Sequence, residues 1–408
     1  KWLIVVFIFA FSSTGVDFSH LGLAQENSSE PIASSTPEVL LPADSQPNIA
    51  SSTPTLDNNA SSTPAVISNP SAAEVGTGLD LNFSNNEWPV VQAIWQMNQT
   101  ASSSGQGQDD NLADGAQFMP SGQFQVDKTI EVCAVASDPD GLADLTGVNG
   151  QIYYPQNIYL GPNRSSSQPG CGQPKEEQFI MSAFEPSQGL DLFCQQIKNK
   201  NANLPSFKTG NDFDTLCGPS GDLIKETSKV FCGQASLSYQ DPAGEYRVKI
   251  TALDQKQAAG LLENSFKYLE LIAFEIDFDN IEYGSMRLNI PKVLAGNETF
   301  SANDGRPTLR NIGNTRLEIS VKQNDMGLGQ SETGWNLTYQ ARVGQDAGFT
   351  NYWPEAWTTL ANIVNLGQTS QLDLAVEVLK FPEAAAGGHY AGKLSLNATA
   401  APQLLCAE

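Results

Sequence analysis

The sequence predicts an all-β protein: two tandem antiparallel β-sandwiches, the first with a partly helical, Cys-rich insertion, behind a disordered N-terminal region. Three observations carry this. From residue 89 onward, short runs alternate apolar and polar residues, the period of a half-buried strand. The alternation lapses over 160–232, where four of the six cysteines fall. Residues 25–86 are rich in Ser, Thr and Pro, with Ala-Ser-Ser-Thr-Pro beginning at Ala33, Ala50 and Ala60.

At the N-terminus, Lys1 precedes the apolar run Trp2–Phe11, the length of a signal-peptide core and short for a membrane span. The start on Lys1 rather than Met reads as a truncated open reading frame. Gly22 and Ala24 point to cleavage before Gln25, with Ser13 and Gly15 offering a second site. A buried strand or an uncleaved anchor is the competing reading. Residues 25–86 read as a disordered stalk: Pro fixes φ, Ser and Thr bury little, and such a segment cannot offset its ordering entropy. No Lys or Arg occurs between Trp2 and Asp127, whereas thirteen acids do, so with Lys1 this stretch holds −12 of the net charge of −23. Self-repulsion should extend it.

The first ordered body is expected over 87–265. Pro89–Met97, Lys128–Ala136, Gln151–Tyr154 and Glu245–Thr251 read as strands; in the last, Tyr246, Val248 and Ile250 face one way and Glu245, Arg247 and Lys249 the other. The insertion over 160–232 reads as non-strand, with Leu190, Phe193, Cys194 and Ile197 on one face of a short helix and a further turn at Asp212–Cys217. No cysteine pair has zinc or redox spacing, and export with an even count favours disulfides. Cys194–Cys217 and Cys171–Cys232 are the expected bridges; Cys133 either stays a buried thiol or displaces one of those partners.

A second body is expected over 266–402, with strands around Phe274–Phe278, Tyr283–Leu288, Leu317–Val321, Trp335–Tyr339 and Leu372–Val378, and a last one containing Leu394 and Leu396. Leu372, Leu374, Val376 and Val378 should face inward, Asp373 and Glu377 outward.

Ser137-Asp-Pro-Asp-Gly-Leu-Ala-Asp144 and Asp241-Pro-Ala-Gly-Glu-Tyr246 are the turn after an early strand and the approach to a late one. With them residues 87–264 resemble PKD-like and cadherin-like immunoglobulin-fold modules, although the long insertion departs from that pattern. Pro307–Thr315, containing Asn-Ile-Gly-Asn, and Gly388-His-Tyr-Ala-Gly392 are similar to Ig-like β-domains of secreted bacterial surface and matrix-fibre proteins. The whole layout resembles uncharacterised secreted bacterial surface proteins. The resemblance implies two tandem Ig-like sandwiches and implies architecture more than activity.

Few residues carry chemistry. Asp138, Asp140 and Asp144 could offer oxygens to Ca²⁺, with Pro139 and Gly141 tightening the turn; a calcium cage needs about six ligands, and a plain Asp/Gly turn is the competing reading. No other cofactor is expected. Tyr352, Trp353 and Trp357 form an aromatic cluster that either packs on a sandwich end or stacks on a sugar; Trp353 and Trp357, four apart, suit one face of a helical turn. Only two histidines, His20 and His389, are present, which argues against a zinc enzyme or a His-based triad. The acidity argues against nucleic acid as a partner. Sequons begin at Asn27, Asn59, Asn82, Asn98, Asn163, Asn297, Asn336 and Asn397, and in a bacterial chain they read as composition. The expected role is a non-enzymatic, secreted or cell-surface structural or adhesive protein. The alternative is an extracellular glycan- or peptide-binding module. The expected partner is a protein or glycan of the cell envelope or extracellular space, or another copy through self-association.

Overall fold

The computed structural model describes residues 86–98, 116–160, 170–175, 178–198, 205–302, 304–381 and 388–406. The expected signal peptide (1–24), the stalk up to residue 85, and the sequons at Asn27, Asn59, Asn82 and Asn163 lie outside them. No described helix is long and apolar enough to cross a membrane.

The first sandwich is built from β1 (Val90–Asn98), β2 (Ala116–Phe118), β3 (Lys128–Ser137), β4 (Leu145–Tyr153), β5 (Phe179–Ala183), β6 (Ser206–Phe207), β7 (Ser228–Leu237), β8 (Gly244–Asp254) and β9 (Ala259–Tyr268). One layer is β7-β3-β1, extended by β6; the other is β4-β8-β9, extended by β2. β5 starts beside β4 at Phe179–Met181 and ends beside β7 at Ser182–Ala183, so it changes layers along its length. β1 lies beside β3, the next long strand, and the last strand, β9, lies beside the penultimate β8, the immunoglobulin-like order. The expectation of purely antiparallel pairing fails at β2, which runs parallel to β9. β2 and β9 are far apart in sequence, and a pair not joined by a hairpin is free to run in the parallel sense.

Alternation decides which side chains meet. Tyr246, Val248, Ile250 and Ala252 of β8 and Ile130, Val132, Ala134 and Ala136 of β3 fill the space between the layers. Tyr246 stacks on Phe266 with centroids 5.3 Å apart and donates its hydroxyl proton to Pro242 O at 2.8 Å, pinning the turn that leads into its own strand. We expect Tyr246→Phe to keep this packing but leave a buried carbonyl unpaired, at a cost of about 1–2 kcal/mol. Chemical denaturation would show it as a lower midpoint at unchanged slope; no change would mean that the tether is dispensable.

The insertion is not a loose appendage. It contains β5, β6 and the start of β7, which corrects the strand-free expectation: β7 sits centrally between β5 and β3, where a buried strand needs no clean alternation. Its helical part comprises α1 (Pro186–Leu190), a π-helical turn at Asp191–Gln195, α2 (Gln196–Lys198) and α3 (Phe213–Cys217). Phe193 and Leu216, both fully buried, pack over the outer face of the sheet against Trp95, Cys133, Val135 and Val230. β1 and β3 therefore bury both faces, which explains why they read as nearly continuous apolar runs.

The expected boundary at 265/266 also moves. β9 pairs with β8 through Tyr268, and Phe266 and Tyr268 belong to the first core. The second sandwich then comprises β10 (Phe274–Ile276), β11 (Lys292–Leu294), β12 (Thr308–Asn311), β13 (Leu317–Gln323), a small hairpin of β14 (Gln330–Ser331) and β15 (Gly334–Trp335), β16 (Leu337–Val343), β17 (Thr350–Tyr352), β18 (Thr358–Val364), β19 (Thr369–Val378) and β20 (Leu394–Ala400). The layer β10-β12-β19-β16-β17, with β11 also on β19, faces β18-β13-β20. Tyr283–Leu288 is not a strand, because Gly284 turns the chain at φ 67° and drops Tyr283 into the core. The outward Asp373 is buried as well: its carboxylate accepts from Gly296 N at 2.7 Å, just past the end of β11, and from Arg342 Nε at 2.6 Å.

The two sandwiches differ at their ends. In the second, the early strand β12 lies beside the penultimate β19, and the last strand β20 lies beside β13. Asn311 makes this possible by holding the turn that switches layers. Its Nδ2 donates to Thr315 O at 2.7 Å and Asn365 O at 3.1 Å, and its Oδ1 accepts from Gly313 N at 2.9 Å.

Three disulfides are present: Cys133–Cys232, Cys171–Cys406 and Cys194–Cys217. The expected Cys171–Cys232 bridge is not formed. Cys133 and Cys232 are directly opposite in the β3–β7 register, so Cys133 takes Cys232, and Cys171 turns to the C-terminal tail.

Candidate functional site

A set of specific contacts lies where the two sandwiches meet. The segment after β9 passes the 311–316 turn, where Asn314 is fully buried. Its Nδ2 donates to Leu269 O (2.8 Å), its Oδ1 accepts from Leu271 N (2.7 Å), and its carbonyl accepts from Ala243 N (3.0 Å). Gly313 must be glycine here, since a Cβ would lie 2.2 Å from Leu271 O. The Asn-Ile-Gly-Asn turn is thus a latch between bodies.

Beside it, the Arg310 guanidinium lies 3.8 Å from the ring centroids of both Phe124, from the first sandwich, and Phe300, from the second. Glu275 Oε2 accepts from Arg310 Nε at 2.6 Å. Phe124 continues edge-on into Tyr239 at 5.5 Å. A cation between two aromatic faces gains about 0.5–2 kcal/mol from each. On a third flank the C-terminal tail runs along the insertion: Tyr159 N donates to Leu404 O (2.8 Å), Cys406 N to Asn157 O (3.1 Å), and Cys171–Cys406 closes the strip. Hydrogen bonds, a stacked cation and a covalent bridge constrain the same junction.

The Asp138 loop connects β3 to β4. Asp138 is 5% exposed, and its Oδ1 accepts from Asp140 N at 2.8 Å. The turn closes through Gly141 N to Asp138 O at 2.9 Å. Carboxylate oxygens of Asp138, Asp140 and Asp144 lie within 4.8 Å of one another. Burial, with added push from Asp144, Asp140 and Asp254, raises the Asp138 pKa despite the Asp140 hydrogen bond.

The aromatic cluster divides. Tyr352 is buried, stacked on Tyr339 at 5.2 Å, with its hydroxyl donating to Gln323 Oε1 at 3.3 Å; burial pushes its pKa up. It belongs to the core. Trp353 and Trp357 are 51% and 52% exposed on the loop between β17 and β18. That loop is a turn rather than a helix, because Glu355 adopts φ 64°. It is anchored by Glu355 N to Gln323 O (2.8 Å) and by Lys322 to Glu355 Oε2 (3.2 Å). His389 is exposed. A second residue group near ligating distance, Glu131 with Cys133 and Cys232, has both sulfurs committed to a disulfide.

No family model matches the chain, and no curated protein matches it. Among solved structures, it is similar to the CsuC–CsuE chaperone–tip adhesion subunit complex of Acinetobacter baumannii Csu pili, at 11% identity and TM-score 0.24, covering 69% of this chain and 96% of that one. The C-terminal domain of the antigen I/II-family protein AspA from Streptococcus pyogenes gives 12% identity and TM-score 0.20, covering 78% and 97%. Likenesses this slight have no bearing on what the chain does.

Several site residues were invisible in the sequence. Phe124 lies far along the chain from Arg310, and Phe300 sits ten residues before it across a loop, so no local pattern joins the three. Asn314 was visible only as part of a turn. The grouping of Tyr352 with Trp353 overlooked that consecutive residues at a strand end point to opposite faces.

Proposed function

We propose that this chain is a structural, adhesive protein of the cell surface or extracellular space, whose two Ig-like sandwiches act as one rigid body. The observation that carries this reading is the junction, where Asn314, the Phe124–Arg310–Phe300 stack and Cys171–Cys406 fix one sandwich on the other. A flexible tandem needs none of these, whereas a load-bearing or presenting element does. Three disulfides and no unpaired cysteine suit an oxidising compartment. No catalytic role is part of this reading.

Two measurements test it. Spin labels at Ile180 and Val293, exposed positions on different sandwiches, should give one narrow distance distribution in the full chain. A spread above about 10 Å, beyond what hinge-free bodies allow, would reject the rigid body. Antibody labelling of intact source cells should detect the protein at the surface or in the medium, and detection only after lysis would reject the location.

A second reading rests on Trp353 and Trp357, half-exposed on an anchored loop. It makes this loop a platform for the apolar face of a sugar. Trp353→Ala with Trp357→Ala would then abolish binding on a glycan array while leaving the fold intact.

A further inference from the structure

The helical part of the insertion covers the outer face of β3 and β7 around Val135 and Val230 and leaves it open further along. Where the cover stops, an open cleft of about 640 Å³ remains, with Glu131, Cys232 and Gln234 on its floor and Ile180, Phe184 and Gln188 around it. Its walls are fixed. β5 crosses so close to β7 that a Cβ at Gly233 would lie 2.8 Å from Ile180 O, and α1 rests on Val230 through Gly189, where an added Cβ would lie 3.3 Å from the valine side chain. The Glu131 carboxylate lies within 4.8 Å of both sulfurs of the Cys133–Cys232 bridge. It is half-buried, and burial raises its pKa with no neighbouring charge or hydrogen bond to offset the push. Among the described residues, the ion pairs of Lys175, Arg247, Arg310, Lys322 and Arg342 are made with other acids. A carboxylate drawn partly out of water without a counter-charge is costly. On the rim, Ile180 is 80% exposed, more than any other large apolar side chain of the described residues.

We propose that this cleft takes an arginine side chain of a protein partner, with the guanidinium on Glu131 and the aliphatic stem along Ile180 and Phe184. The carboxylate lacks a cation, and a guanidinium supplies one in a planar fork that matches two carboxylate oxygens. Arginine is also more weakly hydrated than an ammonium, so it loses less on entering a half-buried site. Its methylenes cover the apolar rim while the charged head reaches the floor. A metal ion fits poorly, because Glu131 is the single carboxylate of the lining and the two sulfurs are bonded to each other. The cleft is open on one side, so a side chain can enter while its backbone stays outside. The net charge of −23 favours encounter with a basic surface, and the cleft supplies the local recognition that bulk charge does not. The contact adds to the surface role proposed above, but it is measured on the purified chain, so either can fail alone.

The test uses the full chain and end-blocked peptides Gly-Ser-Xaa-Ser-Gly with arginine, citrulline or lysine at the centre. In an amide chemical-shift titration the arginine peptide should move the signals of Cys232 and Gln234, with a Kd of about 1–10 mM for so small a contact. Citrulline keeps the shape of arginine without its charge and should bind at least about tenfold more weakly. Lysine should fall between the two. Glu131→Gln relieves a desolvated charge, so it should keep the melting temperature of the parent and lose about tenfold or more in affinity for the arginine peptide. If that variant fails to fold, Ser182→Tyr, which fills the cleft from an exposed position, carries the same expectation. Asp346→Asn, exposed on the second sandwich, should bind as the parent does. No shift at Cys232 and Gln234, or equal affinity for the arginine and citrulline peptides, would overturn the site. Equal loss in Asp346→Asn would reduce it to bulk attraction of cations to an acidic chain and overturn it too. Lysine binding as tightly as arginine would overturn the guanidinium as the group recognised.

Discussion

Replacing the tail bridge with Cys171→Ala and Cys406→Ala together should lower the unfolding free energy by about 3–5 kcal/mol, the largest loss from any paired cysteine removal in this chain. The expectation follows from loop length. Cys171 and Cys406 are 235 residues apart in sequence, against 99 for Cys133–Cys232 and 23 for Cys194–Cys217. Cross-linking removes more freedom from the unfolded chain as the loop grows, with a logarithmic dependence. The bridge also seals the tail strip whose backbone pairs Tyr159 with Leu404 and Cys406 with Asn157. Guanidinium unfolding should show a lower midpoint and a steeper slope, because the uncrosslinked denatured state exposes more surface. The native junction should still hold through Asn314 and Arg310, so the spin-label distance should stay narrow. A loss below about 1 kcal/mol would mean that strain or residual structure cancels the loop effect, and the bridge would not be a main source of stability.

Lys175→Met should cost about 3–5 kcal/mol. Lys175 and Asp241 have side chains only 4% and 0% exposed, with Nζ 3.3 Å from Oδ2. Nζ also donates to Ser236 O at 2.7 Å, while Asp241 accepts from Tyr154 OH at 3.3 Å and Ser238 N at 2.7 Å. The pair ties the strip after residue 170 to the turn that leads into β8. Removing the ammonium leaves a carboxylate without its counter-charge inside the protein, which costs far more than the pair itself contributes. Lys175→Met with Asp241→Leu should therefore recover most of the loss, since the penalty lies in the stranded charge. If the double variant were as unstable as the single one, the loss would come from packing or from the Tyr154 and Ser238 hydrogen bonds. Thermal and denaturant unfolding of both variants would decide.

These two features were unequally legible. Asp241 stood out in the sequence as part of the Asp-Pro-Ala-Gly-Glu-Tyr turn, but nothing local announced Lys175 as its partner, 66 residues earlier by number. The candidate calcium loop was visible as Asp138, Asp140 and Asp144. The burial of Asp138 was not, since it depends on what the fold lays across the loop. Of the aromatic cluster, Trp353 and Trp357 were legible as surface candidates, while Tyr352 fell to the core through the register of β17 against β16.

What the sequence by itself determined is local: strands wherever apolar residues recur at a period of two, a helical interruption around Phe193, and tight turns at Asp138–Gly141 and Asn311–Asn314. Each follows from backbone sterics and from burying one face of a short segment, so neighbouring residues suffice. Only the tertiary structure decided which cysteines meet, how far β9 extends, and that β12 and β20 lie beside β19 and β13. It also brought Arg310 between two phenylalanines from different segments. These are choices among partners distant along the chain, made by the summed packing of whole faces, and similar apolar runs offer no local signal by which to tell one neighbour from another.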